Sequence, residues 1–231
     1  MVFAANAVIL VDDPNLTAAQ KDAAVIAINE AIQMRDAEPV MKSGTSRATY
    51  TQMTIPVTAY TQEYSYYCGP ATARQTLQYL GEIVPGAYSP PLQTTIAEAV
   101  HTSPSSGTEW YYLIAYINRF NFMNTPHSYI EHPLGTIDEM ETIIFNSLNQ
   151  DRPEPPILQI NTNNDSDTLG YPTGGHYLNV SGIRTKNGVN EFQLTDPYRQ
   201  FGDLDLDPKY YDQTSDIYRF TDYHWAEHFM C

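Results

Sequence analysis

Apolar residues recur along this chain with two different periods. From about Thr17 to Met34, Ala24, Val25, Ile28, Ala31 and Ile32 fall at helical spacing. Thr17 with Gln20 three residues later has capping-box form. A short apolar run, Val8 to Val11, precedes this helix and reads as a strand closed by Asp12-Asp13-Pro14. Four more helices are predicted, over Ala71 to Leu80, Gln93 to Val100, Glu109 to Phe120 and Ile137 to Asn149. The first has Pro70 inside its start and Gly81 just past its end. Thr108 caps the third, and Thr136 with Glu139 forms a second capping box for the fourth. Pro153, Pro155 and Pro156 end this regime. Beyond them, Ile157 to Asn161, His176 to Ile183 and Val189 to Asp196 read as strands. The aromatic tail, Asp216 to Phe229, reads as a last strand or a short helix. Helices followed by an antiparallel sheet make an α+β layout.

The pairing of two strands can be worked out on paper. Leu178 and Val180 in one and Phe192 and Leu194 in the other stand at even positions, so even positions should face even ones. A three-residue loop, Lys186-Asn187-Gly188, keeps that match and pairs Thr185 with Val189; a two-residue Asn187-Gly188 turn would break it. In this register Asp196 lies opposite Leu178, diagonal to His176 on the same face and within side-chain reach.

Composition narrows the function classes. The chain has 231 residues, net charge −15 and two cysteines, enough length for a large core without disulfide staples. The acidic balance argues against a nucleic-acid partner, and no apolar run reaches the 18 or so residues of a membrane span. Two cysteines form neither a disulfide framework nor a Cys-rich zinc module. Abundant Tyr (18) and Pro (16) with few charges suggest an exported protein, secreted or in the cell envelope. Ala5-Asn6-Ala7 has the small-x-small form of a signal-peptidase site, with neither a charged nor an adequate apolar region before it. The polar stretch Lys42 to Thr54 reads as a linker, dividing an N-terminal extension, residues 1–50, from a main domain, residues 51–231.

The main domain offers each part of a cysteine-based acyl-transfer site. Cys68 stands at a helix start, where unpaired N–H groups and partial positive charge favour a thiolate. Gly69 beside it is expected to let a substrate backbone come close. Gln62 lies six residues upstream and carries a side-chain amide suited to an oxyanion. His176, after Gly174-Gly175, opens a strand and can act as base; Asp196 ends the next strand and can orient it. Weaker signals are His224 and His228, spaced to face together on a helix, and the alternating Asp203, Asp205 and Asp207, neither of which completes a metal site. Three Asn-x-Ser/Thr sequons occur, at Asn15, Asn164 and Asn179, the last within a predicted strand. Cys231 is expected to stay a free thiol, as is Cys68.

The strings Gln62-Glu63-Tyr64-Ser65-Tyr66-Tyr67-Cys68-Gly69-Pro70-Ala71, Gly175-His176-Tyr177-Leu178-Asn179-Val180-Ser181-Gly182 and Leu194-Thr195-Asp196-Pro197 resemble papain-like cysteine peptidases. The similarity is nearest to the bacteriocin-processing, double-glycine-leader peptidases of bacteria and their stand-alone relatives. The resemblance covers about Thr54 to Asp196. It implies a Cys-bearing helix packed on an antiparallel sheet, with Cys68 as nucleophile, His176 as base, Asp196 as orienter and Gln62 as oxyanion donor. Gly69, Gly175 and Tyr67 are expected to line the substrate cleft. It implies a peptide or protein substrate and no cofactor. Residues 1–50 then read either as a prosegment over the cleft or as a helix decorating the fold. The same centre would serve a peptide acyl transferase or a cell-wall amidase, and a peptide-binding module without activity is a further alternative. Transporter-linked members of the family carry membrane and ATPase domains, so the resemblance does not extend to bacteriocin export.

Overall fold

A computed structural model describes residues 48–82, 89–120, 129–162 and 169–231. The predicted Val8 strand, the Thr17 helix, most of the N-terminal extension and the Asn15 and Asn164 sequons lie outside the described residues. In chain order the elements are β1 (Met53–Thr54), α1 (Cys68–Glu82), α2 (Gln93–Ala99), α3 (Trp110–Asn118), β2 (Glu131–Pro133), α4 (Ile137–Leu148), β3 (Ile157–Ile160), β4 (His176–Lys186), β5 (Val189–Thr195), β6 (Lys209–Gln213), α5 (Thr214–Asp222) and β7 (His228–Met230). The strands form one antiparallel sheet in the order β2-β7-β3-β4-β5-β6, with β1 also on β4. This is the α+β layout expected from the sequence.

Local chemistry explains most element boundaries. At α4, Thr136 accepts from the Glu139 N–H while the Glu139 carboxylate accepts from the Thr136 N–H, closing the predicted capping box. α3 begins one residue later than predicted, with Glu109 at its N-cap and no side-chain cap bond. Thr108 does not cap it; its carbonyl accepts the Tyr177 hydroxyl instead. Gly81 lies inside α1 rather than beyond it. The tail holds both of its proposed elements, α5 and β7, so His224 and His228 do not share a helix. Asn179 is fully buried and donates to Thr76 Oγ1, which marks its sequon as incidental.

The β4–β5 hairpin corrects the predicted turn. Lys186 pairs with Val189 across a two-residue Asn187-Gly188 turn. Both turn residues have positive φ (53° and 79°), the conformation such a turn needs and Asn-Gly readily adopts. Near the turn, odd positions of β4 therefore face even positions of β5, as with the fully buried pair Ile183 and Phe192. A bulge at Ser181 then inserts one residue, and beyond it Val180 faces Leu194 and Asn179 faces Thr195. Continued past Thr195, this register puts Asp196 opposite Leu178, as predicted, but the bulge rather than the loop achieves it. Ile183, apolar at an odd position, marks the change of phase. The extra residue is satisfied: Ser181 O accepts the Ile55 N–H and Ser181 Oγ accepts the Thr195 hydroxyl.

α1 packs on β4 and against α2 and α3, while α4 and α5 pack on one another and on the sheet. Two buried hydrogen bonds align α1 with β4. Thr72 Oγ1 donates to Tyr177 O, and Asn179 Nδ2 donates to Thr76 Oγ1, at 3.0 and 2.9 Å. Four helical residues rise about 6 Å and two strand residues span roughly 6.6 Å, so the two elements keep step. One turn before Thr72 on the helix is Cys68, and one residue before Tyr177 on the strand is His176.

Close to the bulge, β1 crosses Gly182 so tightly that an added Cβ would lie 2.6 Å from Met53 O and 2.8 Å from Thr54 Cγ2. We expect Gly182→Ala to lower stability by about 1–3 kcal/mol through overpacking. The check is a lower urea midpoint at unchanged m-value; an unchanged midpoint would mean that β1 does not seat there.

Candidate active site

Cys68, His176 and Asp196 come from α1, the start of β4 and the end of β5, and the fold brings all three together. His176 Nε2 lies 2.9 Å from Asp196 Oδ1. His176 also interacts with the Cys68 thiol, by a hydrogen bond and by charge. All three side chains are buried, at 9%, 3% and 1% exposure for Cys68, His176 and Asp196. The rings of Tyr171 and Tyr198 abut the imidazole edge-on, with centroids at 5.8 and 6.0 Å. The two tyrosine rings, 4.6 Å apart, pack together against one side of the imidazole.

Asp196 is tied by four hydrogen bonds. Oδ1 also accepts the Tyr198 N–H at 2.9 Å, and Oδ2 accepts the Tyr171 and Tyr210 hydroxyls at 2.5 and 3.1 Å. A buried carboxylate needs such compensation. The sequence reading missed both tyrosines. Tyr171 precedes β4 in an irregular segment, and Tyr210 sits in β6, a strand hidden behind an Asp-rich stretch. Pairing of β6 with β5 places Tyr210 opposite Leu194, two residues from Asp196. Arg199 stacks over the Tyr210 ring at 3.8 Å and donates to Leu169 O, joining the flanking loops. Burial, and then the Asp196 charge, hold the Tyr171 and Tyr210 hydroxyls well above their usual pKa, so both stay donors.

The charges of the three central residues support one another. Burial opposes ionisation of Cys68, but the hydrogen bond and charge of His176 outweigh it and lower the thiol pKa. Backbone N–H groups of Tyr177 and Gly69 add to the lowering. Burial likewise favours neutral His176, yet the Asp196 charge raises it to about 10. Asp196 is lowered, with burial overcome by His176 and the tyrosine bonds. All three shifts favour the charged forms, a thiolate, an imidazolium and a carboxylate. Cys231, the second free thiol, is pushed well above its usual range by burial and then by Glu154.

Gln62 is 2% exposed. Its backbone N–H donates to Pro197 O at 3.0 Å, which fastens it beside the Asp196 turn. Its side-chain Nε2 donates to Tyr64 O at 2.7 Å. A flipped amide would set two oxygens at that distance, so the orientation is fixed and the second N–H remains to donate. At the start of α1, Pro70 has no N–H and Ala71 donates to Tyr67 O. With the Gly69 N–H turned to the Cys68 sulfur, the open donor of the first turn among the described residues is the Cys68 N–H.

Of the residues expected to line the cleft, Gly175 is exposed next to His176, and a side chain there would meet His224 Nε2 at 3.6 Å. Tyr67 is half-buried and packs its ring against Tyr64 and Tyr66. Gly69 departs from expectation. An added Cβ would lie 2.5 Å from Thr108 Oγ1, so the space is filled by Thr108 rather than open to a substrate backbone. Among the described residues no cluster of His, Cys, Asp and Glu is arranged to hold a metal, and no helix is long and apolar enough to cross a membrane.

Comparison with known proteins follows the same lines. The model of the Peptidase_C39 like family matches residues 50–219. No curated protein matches the chain in sequence. Among solved structures, recombinant stem bromelain precursor is 13% identical, with a TM-score of 0.52, covering 84% of this chain and 74% of its own. The peptidase domain of Streptococcus ComA, a bi-functional ABC transporter of a quorum-sensing pathway, is 14% identical with a TM-score of 0.48, over 76% of this chain and 97% of its own. Digestive procathepsin L 3 of Tenebrio molitor larval midgut is 12% identical with a TM-score of 0.49, over 99% and 89%. The likeness to the bromelain precursor is one of fold, and the fold is papain-like.

The charge pattern predicts a pH profile for alkylation of Cys68 by iodoacetamide. The thiolate–imidazolium form appears as pH rises through the lowered thiol pKa and is lost as His176 deprotonates near pH 10. Labelling at Cys68 should therefore exceed labelling at Cys231 many-fold near pH 6, as read by peptide mapping. His176→Ala removes the main influences that lower the thiol pKa and should abolish this preference. Equal labelling of the two cysteines would contradict the assignment.

Proposed function

From the premise that the chain belongs to the Peptidase_C39 like family and is a papain-like cysteine peptidase, we propose that it cleaves peptide bonds through a Cys68-His176-Asp196 triad and a thioester intermediate. The observation that carries this reading is the His176 imidazole bonded to Asp196, with Nε2 at 2.9 Å from Oδ1, and coupled to the Cys68 thiol. The Cys68 thiolate attacks the scissile carbonyl carbon, forming the S–C bond and moving an electron pair onto oxygen. That oxyanion is met by the second side-chain N–H of Gln62 and the backbone N–H of Cys68 at the start of α1. His176 gives its proton to the leaving nitrogen as the C–N bond breaks, and the amine departs. Neutral His176 then takes a proton from water, whose oxygen attacks the thioester. Collapse breaks the S–C bond and releases the acid, restoring the Cys68 thiolate beside protonated His176. Asp196 keeps Nε2 as the bonded nitrogen and stabilises the imidazolium; it takes no proton.

Removing one oxyanion donor typically costs about 10²–10³ in kcat, and loss of the nucleophile costs nearly all of the activity. A peptide library incubated with the protein should yield cleavage products, and Cys68→Ala should yield none. Quenching the wild type in acid should trap the acyl group on the peptide containing Cys68, read by mass spectrometry. Cleavage that survives in Cys68→Ala would overturn the proposal.

A further inference from the structure

Gln93 is the first residue of α2 and is 1% exposed, an unusual place for an amide. It does not cap its own helix, whose N-cap, Leu92, has no side-chain bond. Its amide is spent on the chain around Gln62. Nε2 donates to Thr61 O at 2.7 Å, and Oε1 accepts the Glu63 N–H at 3.0 Å. A flipped amide would oppose like groups at both contacts, so the orientation is determined. Between these two bonds, the Gln62 N–H points the other way, to Pro197 O. The three residues are thus held from two sides, as a strand is held by neighbours on both edges, with Gln93 standing in for one of them.

Thr61 and Glu63 are both exposed, so apolar burial contributes little to fixing this segment. Hydrogen bonds must do so. We propose that Gln93 is a positioning residue that sets the Gln62 amide where the oxyanion forms. The proposal rests on the oxyanion role given to Gln62. Gln93 itself touches no reacting atom; it acts by fixing the backbone on either side of the donor. Displacement of an oxyanion donor by about 1 Å is enough to slow acyl transfer substantially.

Two reagents that react at the same sulfur separate this role from simple structural support. p-Nitrophenyl acetate acylates Cys68 through a tetrahedral oxyanion: the S–C bond forms, the C–O bond breaks and p-nitrophenolate leaves. Iodoacetamide alkylates the thiolate by direct displacement of iodide and creates no oxyanion. In the full chain, Gln93→Met keeps the length of the side chain and removes both bonds. It should slow acylation about tenfold or more while leaving the alkylation rate within about twofold. Gln93→Glu keeps the shape and the acceptor for Glu63 but opposes Thr61 O, and should slow acylation in the same selective way. Gln62→Ala should slow acylation more, and adding Gln93→Met to it should change little further, because residues acting as one unit are not additive.

Acylation and alkylation falling together in both Gln93 variants would overturn the proposal, as would multiplicative effects in the double variant. Unchanged acylation in Gln93→Met alongside slowed acylation in Gln62→Ala would overturn the role of Gln93 alone. Unchanged acylation in Gln62→Ala would overturn the oxyanion role of Gln62, and the proposal for Gln93 with it.

Discussion

Three charges that would each be costly in isolation share one buried site. A carboxylate or thiolate taken out of water loses far more solvation than one hydrogen bond returns. Here Asp196 recovers it with four bonds, from His176, Tyr171, Tyr210 and the Tyr198 N–H. The charged imidazole that results makes a thiolate tenable at Cys68. Much of the surrounding architecture secures this site. β6 supplies Tyr210, the turn after β5 supplies the Tyr198 N–H, and the segment before β4 supplies Tyr171. The lowered pKa of Cys68 is thus tied to tyrosines brought in by the edge strand and by the segment before β4.

One turn holds two parts of the site. Asp196 bonds His176, while the next residue, Pro197, presents its carbonyl to the Gln62 backbone. The position of Gln62 is thereby referred to the same short segment that holds the imidazole. α1 is tied to β4 through Thr72 and Thr76, so Cys68 is set against this frame too. Hydrogen bonds between neighbouring elements, more than apolar contact alone, set the relative positions of these side chains.

Much of this was legible in the sequence where local chemistry decides the outcome. The Thr136–Glu139 box, Pro70 in the first turn of a helix and the alternation in β4 and β5 all act over a few residues. Cys68, Gln62, His176 and Asp196 could be chosen because their residue types and order match a known chemistry. What stayed hidden depends on contacts between distant segments. Tyr171 and Tyr210 look like ordinary tyrosines until the sheet folds. The Ser181 bulge cannot be seen in an apolar pattern that either register nearly satisfies, and Ile183 was its one local trace. Gly69 looked like room for a substrate because nothing in the sequence says that Thr108 fills that space. Gln93 looked like the polar start of a helix, since its partners lie some thirty residues away.

His176 is held as an imidazolium by the charges of Asp196 and Cys68. Nitrogen-15 NMR of the histidine rings, with the His176 resonances assigned by their loss in a His176 variant, reads this directly. His176 should stay protonated through neutral pH and titrate near 10. Its midpoint should be lower in Cys68→Ala, where the thiolate is gone. A His176 midpoint at or below the ordinary value of about 6.5, unchanged by Cys68→Ala, would contradict it.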